Sequence, residues 1–433
     1  MSTRGFIGAA GTGKTTRLLQ ELEAHLAANP LKEGQRVLAL TFMHGSRRRL
    51  AERLARTSAK RRWDCLTFDR FAWEICRRWR SRIRSMGGAA PAGGDTPDYD
   101  TTCRVAGTVL AAPDVVKWVS SRFPVLVLDE FQDCAQVRLE IAQRLHGHVE
   151  MLIAADDFQS LTRSVESPGV AWLRELGVSE ELTVNHRTAD SDLIAAAHAL
   201  RSGVDVPTPT SASFRLINVP AADVAASFIS QTIAPAAGRD IVILSAARPG
   251  TSPWVDRTLE LVGTKQYGRQ KSGPVAIRWE VSPEAMAEDT KGSLGIGTGN
   301  PEIEAAFIYE MPAGLVSKQL KRWAEQQRRL LGKTLFDAQE VGAQVDRAIQ
   351  HIRSAGFVPQ FGRLAMTIHQ AKNREFPVVI VLWPFKVVTD PILARRWLYN
   401  AITRAKRRAL VIVEDPKETR LTSPPFAYPP SQM

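Results

Sequence analysis

Eight residues near the start of the chain restrict its fold more than any others: Gly8-Ala9-Ala10-Gly11-Thr12-Gly13-Lys14-Thr15. They satisfy the spacing G-x-x-x-x-G-K-[ST]. In that pattern the glycines let successive backbone N–H groups close around a polyphosphate with no Cβ in the way. Such a loop works between a strand and a helix, and both are written beside it. Phe6 and Ile7 supply the apolar end of a strand, and Leu18, Leu19, Leu22 and Leu26 lay an apolar stripe on a helix over roughly Thr15–Ala28. The positive end of that helix points at the same anion. Lys14 can then reach terminal phosphates and the Thr15 hydroxyl can hold Mg²⁺, with Gly8, Gly11, Thr12, Gly13 and Thr16 completing the cradle.

The rest of the chain reads as strands alternating with helices. Arg36–Phe42, Asp64–Phe68, Pro124–Leu128 and Val149–Ala155 are apolar runs of the kind buried on both faces of a parallel sheet. Two of them end in carboxylates, Asp129-Glu130 and Asp156-Asp157. This describes an open, doubly wound α/β domain ending near Gly177. Ile241–Ser245, Val378–Leu382 and Leu410–Val413 repeat the style in a second domain, loosened between Gly263 and Gly362. Met86–Thr102 reads as a loop, as do the glycines between Gly292 and Gly299, and the proline-rich tail after Thr422 is expected to fray.

The 433 residues carry no apolar run near the roughly 20 needed to span a membrane, and the four cysteines lack C-x-x-C spacing. The expectation is a reduced, cytoplasmic protein with no membrane partner. Charge is more telling. Lys and Arg exceed Asp and Glu by 57 to 45, and between His44 and Arg84 the count is fourteen to four. Trp63, Phe68, Phe71, Trp73 and Trp79 interleave with those cations, a mixture that suits a nucleic-acid backbone with stacked bases.

Asp129 and Glu130 complete the phosphate-loop chemistry, one to hold Mg²⁺ and the other to orient and deprotonate water. The wider run, Leu128-Asp129-Glu130-Phe131-Gln132-Asp133, resembles motif II of superfamily 1 helicases of the UvrD/Rep/PcrA type. Other family motifs follow in order. Leu40-Thr41-Phe42 resembles motif Ia, Thr67–Ala72 the T-F-H-S-F-A stretch, Ala155–Ser160 motif III, and Leu182–Thr188 motif IV. Met366–Lys372 with Glu375–Val379 resembles motif V, and Arg396–Ala405 motif VI.

The resemblance implies two RecA-like P-loop NTPase domains with an ATP cleft between them, spanning 1–178 and 179–433, with reduced insertions at about 81–122 and 263–362. It implies that Gln159 senses the γ-phosphate, that Arg187 and Arg404 act on it from the second domain, and that Glu375 contacts the ribose. His186 stands where the family stacks a tyrosine on adenine. Phe42, Thr67, Phe68 and His369 would line a single-stranded DNA track. The sequence departs from the family pattern elsewhere. The glutamine motif has no room ahead of Gly8, Ser160–Ser164 lacks the aromatic residues of Y-x-F-R-G-A, and Lys372-Asn373-Arg374-Glu375 replaces K-G-L-E. Asn373 can still take a left-handed turn.

The expected function is an ATP-dependent, single-strand-stimulated DNA motor that moves 3′ to 5′ and unwinds tailed duplex, possible as a monomer. Two alternatives stay open: a DNA-sensing ATPase serving a separate nuclease or replication partner, and a small-molecule phosphate-loop kinase.

Overall fold

The computed structural model describes residues 2–42, 44–59, 61–87, 99–134, 136–162, 164–233, 241–268, 272–281, 283–297, 301–355, 363–387, 390–417, 419 and 421–427. Six strands build a first sheet: β1 (Thr3–Gly8), β2 (Val37–Thr41), β3 (Trp63–Thr67), β4 (Val125–Leu128), β5 (Glu150–Ala155) and β6 (Ser179–Leu182). They lie in the order β3-β2-β4-β5-β1-β6, every pair parallel. The chain then forms β7 (Phe214–Val219), β8 (Ile241–Ser245), β9 (Ile277–Trp279), a short pair β10 (Glu302–Glu304) and β11 (Leu335–Asp337), then β12 (Arg363–Thr367), β13 (Phe376–Trp383) and β14 (Ala405–Glu414). The second parallel sheet runs β7-β14-β13-β8-β12-β9. The protein therefore contains two parallel-sheet α/β domains flanked by helices.

The period-two geometry of a strand explains why these runs are apolar throughout. Val37, Ala39, Val125, Val127, Leu152 and Ala154 pack on one face of the first sheet with Leu18, Leu22 and Leu26 of the helix Lys14–Ala28. Their neighbours Leu38, Leu40, Leu126, Leu128, Met151 and Ile153 pack on the other. In the second sheet Val379 and Val381 face one core and Ile380 and Leu382 the other.

Three boundaries differ from the sequence reading. Ser179–Leu182 pairs with Gly5–Gly8, so a segment expected in the second domain is a strand at the edge of the first sheet. Its largely exposed, acidic composition (Ser-Glu-Glu-Leu) hides a strand from a hydrophobicity scan. The segment expected as an insertion near 81–122 covers one face of the first sheet: Ile83, Cys103, Ala106, Val109, Val115 and Val119 join the core of Leu38 and Leu126. The expected loop over 86–102 gives way to helix at Tyr99–Leu110, while 88–98 falls outside the described residues. In the second domain the helix Pro253–Thr264 and β9 belong to the main sheet and its core. The separate body spans 283–355, where Ile303, Ile308, Leu320, Phe336 and Val345 form their own cluster; 356–362 lies outside the described residues.

The two domains share an apolar contact. Ala10, Phe158 and Leu161 leave the first domain and pack into the core of the second, and the Phe158 ring meets Tyr399 edge-on at 5.1 Å. All four cysteines are free and buried, and burial pushes the Cys65 and Cys103 thiols up to about 12. Among the described residues no helix is long and apolar enough to cross a membrane.

Candidate active site between the two domains

The loop after β1 turns at Gly11 and Gly13, both left-handed at φ 84° and 79°, which an L side chain adopts only with strain. Lys14 Nζ donates to the carbonyls of Gly8 (3.0 Å) and Ala9 (2.7 Å) and lies 3.6 Å from Asp156 Oδ2. Gly8 and Thr12 serve the loop from within: the Thr12 hydroxyl donates to the Ala9 carbonyl (2.9 Å), and a Cβ at Gly8 would strike the Leu182 carbonyl of β6 at 2.6 Å.

At the end of β4, Thr15 Oγ1 stands 3.1 Å from Asp129 Oδ2. Burial, reinforced by Glu130, pushes the Asp129 carboxyl up to about 6. A divalent cation between a hydroxyl and this carboxylate would restore the charged form, and Mg²⁺ bound by one or two protein oxygens keeps several waters. Glu130 adopts φ 59°, a left-handed conformation that a glutamate holds only when its surroundings impose it. Gln132 Nε2 fixes its carboxylate at 2.5 Å.

The second domain closes the site. Asn185 Nδ2 donates to the Ala10 carbonyl (3.1 Å), and the His186 amide donates to Gly11 (2.7 Å), so this segment lies directly on the phosphate loop. Arg187 NH1 donates to the Thr403 carbonyl (2.7 Å), and its NH2 pairs with Glu375 Oε1 (2.8 Å), which also meets Lys406. Arg404 donates through Nε to Asn400 (3.0 Å), while its NH2 is buried with no hydrogen-bond partner. Desolvation, with Arg187 adding repulsion, pulls the Arg404 guanidinium down to about 10.

Gly11, Gly13, Lys14, Thr15, Thr16, Asp129, Glu130, Gln159, His186, Arg187, Glu375 and Arg404 line a single cavity of about 360 Å³. Three more cations line it that the sequence reading did not assign to it: Arg49 and Arg53 from the helix His44–Leu54, and Lys406 from β14. Arg49 and Arg53 stand in the arginine-rich helix noted in the sequence, but helical spacing alone does not say which arginines face inward. Six cations against three carboxylates suit a polyphosphate. The unpaired Arg404 NH2 and the glycine-lined loop fit a nucleotide with Mg²⁺ at Thr15 and Asp129.

The four residues expected on a nucleic-acid track lie outside this cavity. Phe42 stacks on Phe68 at 4.7 Å, with Phe68 buried and Phe42 half-buried. Thr67 accepts from the Arg70 amide as a helix cap. His369 is exposed and meets Trp397 edge-on at 4.9 Å in the second domain. Beside it Asn373 takes φ 65° and donates to Ser46 at 2.6 Å, joining the domains.

Residues 363–412 match the UvrD-like helicase C-terminal domain. That segment comprises β12, β13 and most of β14, and carries Glu375, Arg404 and Lys406. It supports a helicase family for the chain. No curated protein matches it. Among solved structures the PRRSV helicase aligns at 12% identity and a TM-score of 0.37, covering 99% of this chain and 55% of that one. The chain thus spans about half the length of that helicase.

Proposed function

We propose that the protein is an ATP-dependent DNA translocase and helicase, a compact relative of the UvrD/Rep/PcrA type, with hydrolysis stimulated by single-stranded DNA and movement 3′ to 5′. The observation that carries the NTPase reading is the convergence of Arg187 and Arg404 on the phosphate loop of the other domain, with one Arg404 NH2 left unsatisfied. On binding, Lys14 exchanges the Gly8 and Ala9 carbonyls for the β- and γ-phosphates. Thr15 and Asp129 would hold Mg²⁺, which would supply neutralisation of phosphate charge. Glu130, aimed by Gln132, orients and deprotonates the attacking water, and Gln159 reports the γ-phosphate. Arg187 and Arg404 stabilise the charge of the transferring group, a contribution of about 10³–10⁵ in rate for such arginines. Loss of the γ-phosphate releases that grip and lets the cleft open.

One observation favours a second reading, a motor that unwinds little alone and serves a nuclease or replication partner. The segment after Gln159 carries no aromatic residue to part bases, and it is fastened to the second domain: Leu161 is buried, and its carbonyl accepts from Trp397 Nε1 at 2.9 Å.

Steady-state ATP hydrolysis with and without oligo(dT) tests the motor. Stimulation is expected, abolished by Lys14→Ala while DNA binding survives; hydrolysis indifferent to DNA would overturn both motor readings. Duplexes with 3′ and 5′ tails then separate the two, because only the helicase opens the 3′-tailed substrate unaided.

A further inference from the structure

Behind the phosphate loop lies a carboxylate shared by the two domains. Asp156, at the end of β5, is fully buried. Its Oδ1 accepts from the Phe158 amide (3.2 Å) and from Arg201 NH1 (2.7 Å). Its Oδ2 faces the Tyr399 hydroxyl (3.3 Å) and Lys14 Nζ (3.6 Å). One negative charge therefore sits between two cations of different origin. Lys14 belongs to the phosphate loop, and Arg201 to the C-terminal turn of the helix Ser191–Ser202 in the second domain. Tyr399 cannot take either cation's place, since it is neutral and its oxygen already accepts from the Ala10 amide at 2.7 Å. With Nζ on Gly8, Ala9 and Asp156, Lys14 is turned toward its own loop.

We propose that Arg201 is a positioning residue that releases Lys14 for the nucleotide, an inference that rests on the NTPase reading above. A buried charge that loses its only partner is strongly destabilised. With Arg201 in place, Asp156 keeps a cation when Lys14 moves onto the phosphates. Without it, Lys14 is the one cation left to Asp156, and the nucleotide must compete with a buried ion pair. The guanidinium is held for this task, with its side chain three-quarters buried and its Cζ 5.9 Å from the centre of the Phe158 ring. Arg201 travels with the second domain, so Lys14 is freed where that domain is docked on β5. Domain closure thereby prepares the phosphate site before any arginine touches the γ-phosphate.

Titration calorimetry of the full chain with AMP-PNP and Mg²⁺, without nucleic acid, tests this. Arg201→Met is expected to weaken binding by about tenfold or more. Arg201→Lys, which keeps the charge, stays within about threefold of the parent. The decisive variant is Arg201→Met with Asp156→Asn. Removing the competing carboxylate restores affinity to within about threefold, a rescue that neither misfolding nor lost domain packing can produce. Unchanged binding by Arg201→Met overturns the proposal, and so does a double variant as weak as the single one. If the parent chain itself binds no AMP-PNP, the NTPase reading has failed. Binding by the parent that is indifferent to Arg201 sinks this inference alone.

Discussion

Arg404 follows the helix Pro391–Ile402, almost wholly buried, with its Nε on the Asn400 carbonyl and an NH2 bonded to nothing. Such a group penalises the folded state, and the sign follows from its titration. The folded value, near 10, lies below the ordinary 12.5, so the penalty is fully present below pH 10 and is relieved only as pH rises through that value. The shift corresponds to about 3 kcal/mol. Arg404→Met is therefore expected to abolish hydrolysis and yet melt higher than the parent chain, with a gain that stays flat between about pH 6 and 9. Thermal melting without nucleotide measures it; a variant that melts lower would make Arg404 a structural residue. The sequence identified this arginine only through the order of its motif. Nothing in a linear pattern reports that a guanidinium is unpaired, and the same holds for Arg201, which sits in no motif and meets Asp156 only through the fold.

At the level of elements, the segment 185–187 rests on the phosphate loop so closely that glycine is the only residue the contact admits. A Cβ on Gly11 would lie 2.7 Å from Arg187 Cβ and 2.9 Å from Asn185 Oδ1. Gly34 has a similar φ, 76° against 84°, with nothing within 4 Å of its Cβ position. The pair separates strain from crowding. Both alanine variants should lose about 1–2 kcal/mol to left-handed strain. Only Gly11→Ala should also lose hydrolysis, by about tenfold or more, because Arg187 must move from the cleft. Equal kcat in the two variants would show that the second domain does not depend on this seat. The glycine motif predicted a loop between a strand and a helix, as the chain has between Gly8 and Lys14, and the apolar runs predicted most strands of both sheets. The exposed edge strand β6 escaped, since pairing with β1 is stabilised by backbone hydrogen bonds rather than by side-chain burial. The helices over 99–122 were misassigned for the opposite reason: their cover of Leu38 and Leu126 is a tertiary fact.

Across the whole molecule, charge is distributed in a way that a fold alone does not require. The formal net charge is +12, and the stretch 44–84 holds a surplus of ten. Part of that stretch turns inward, Arg49 and Arg53 to the nucleotide cavity, and part outward. Arg70 and Arg77 are exposed near the two ends of the helix Phe68–Arg78 and lie over the half-buried Trp73 ring, 4.6 and 5.0 Å from its centre. That helix begins at Thr67 and Phe68, beside Phe42, where the nucleic-acid track is proposed. Counterion release then makes a quantitative demand: each single-strand phosphate neutralised contributes a slope of about −0.7 in log K against log salt, so five such contacts weaken binding about a hundredfold between 0.05 and 0.2 M. Fluorescence anisotropy of labelled oligo(dT) over that range should show it. Reversing Arg77 and Arg80 to glutamate should flatten the slope by about 1.4 or more while hydrolysis without DNA is unaffected, since neither side chain lines the cavity. A parent slope near zero would remove the backbone track altogether, and a steep slope indifferent to Arg77 and Arg80 would move it off this helix.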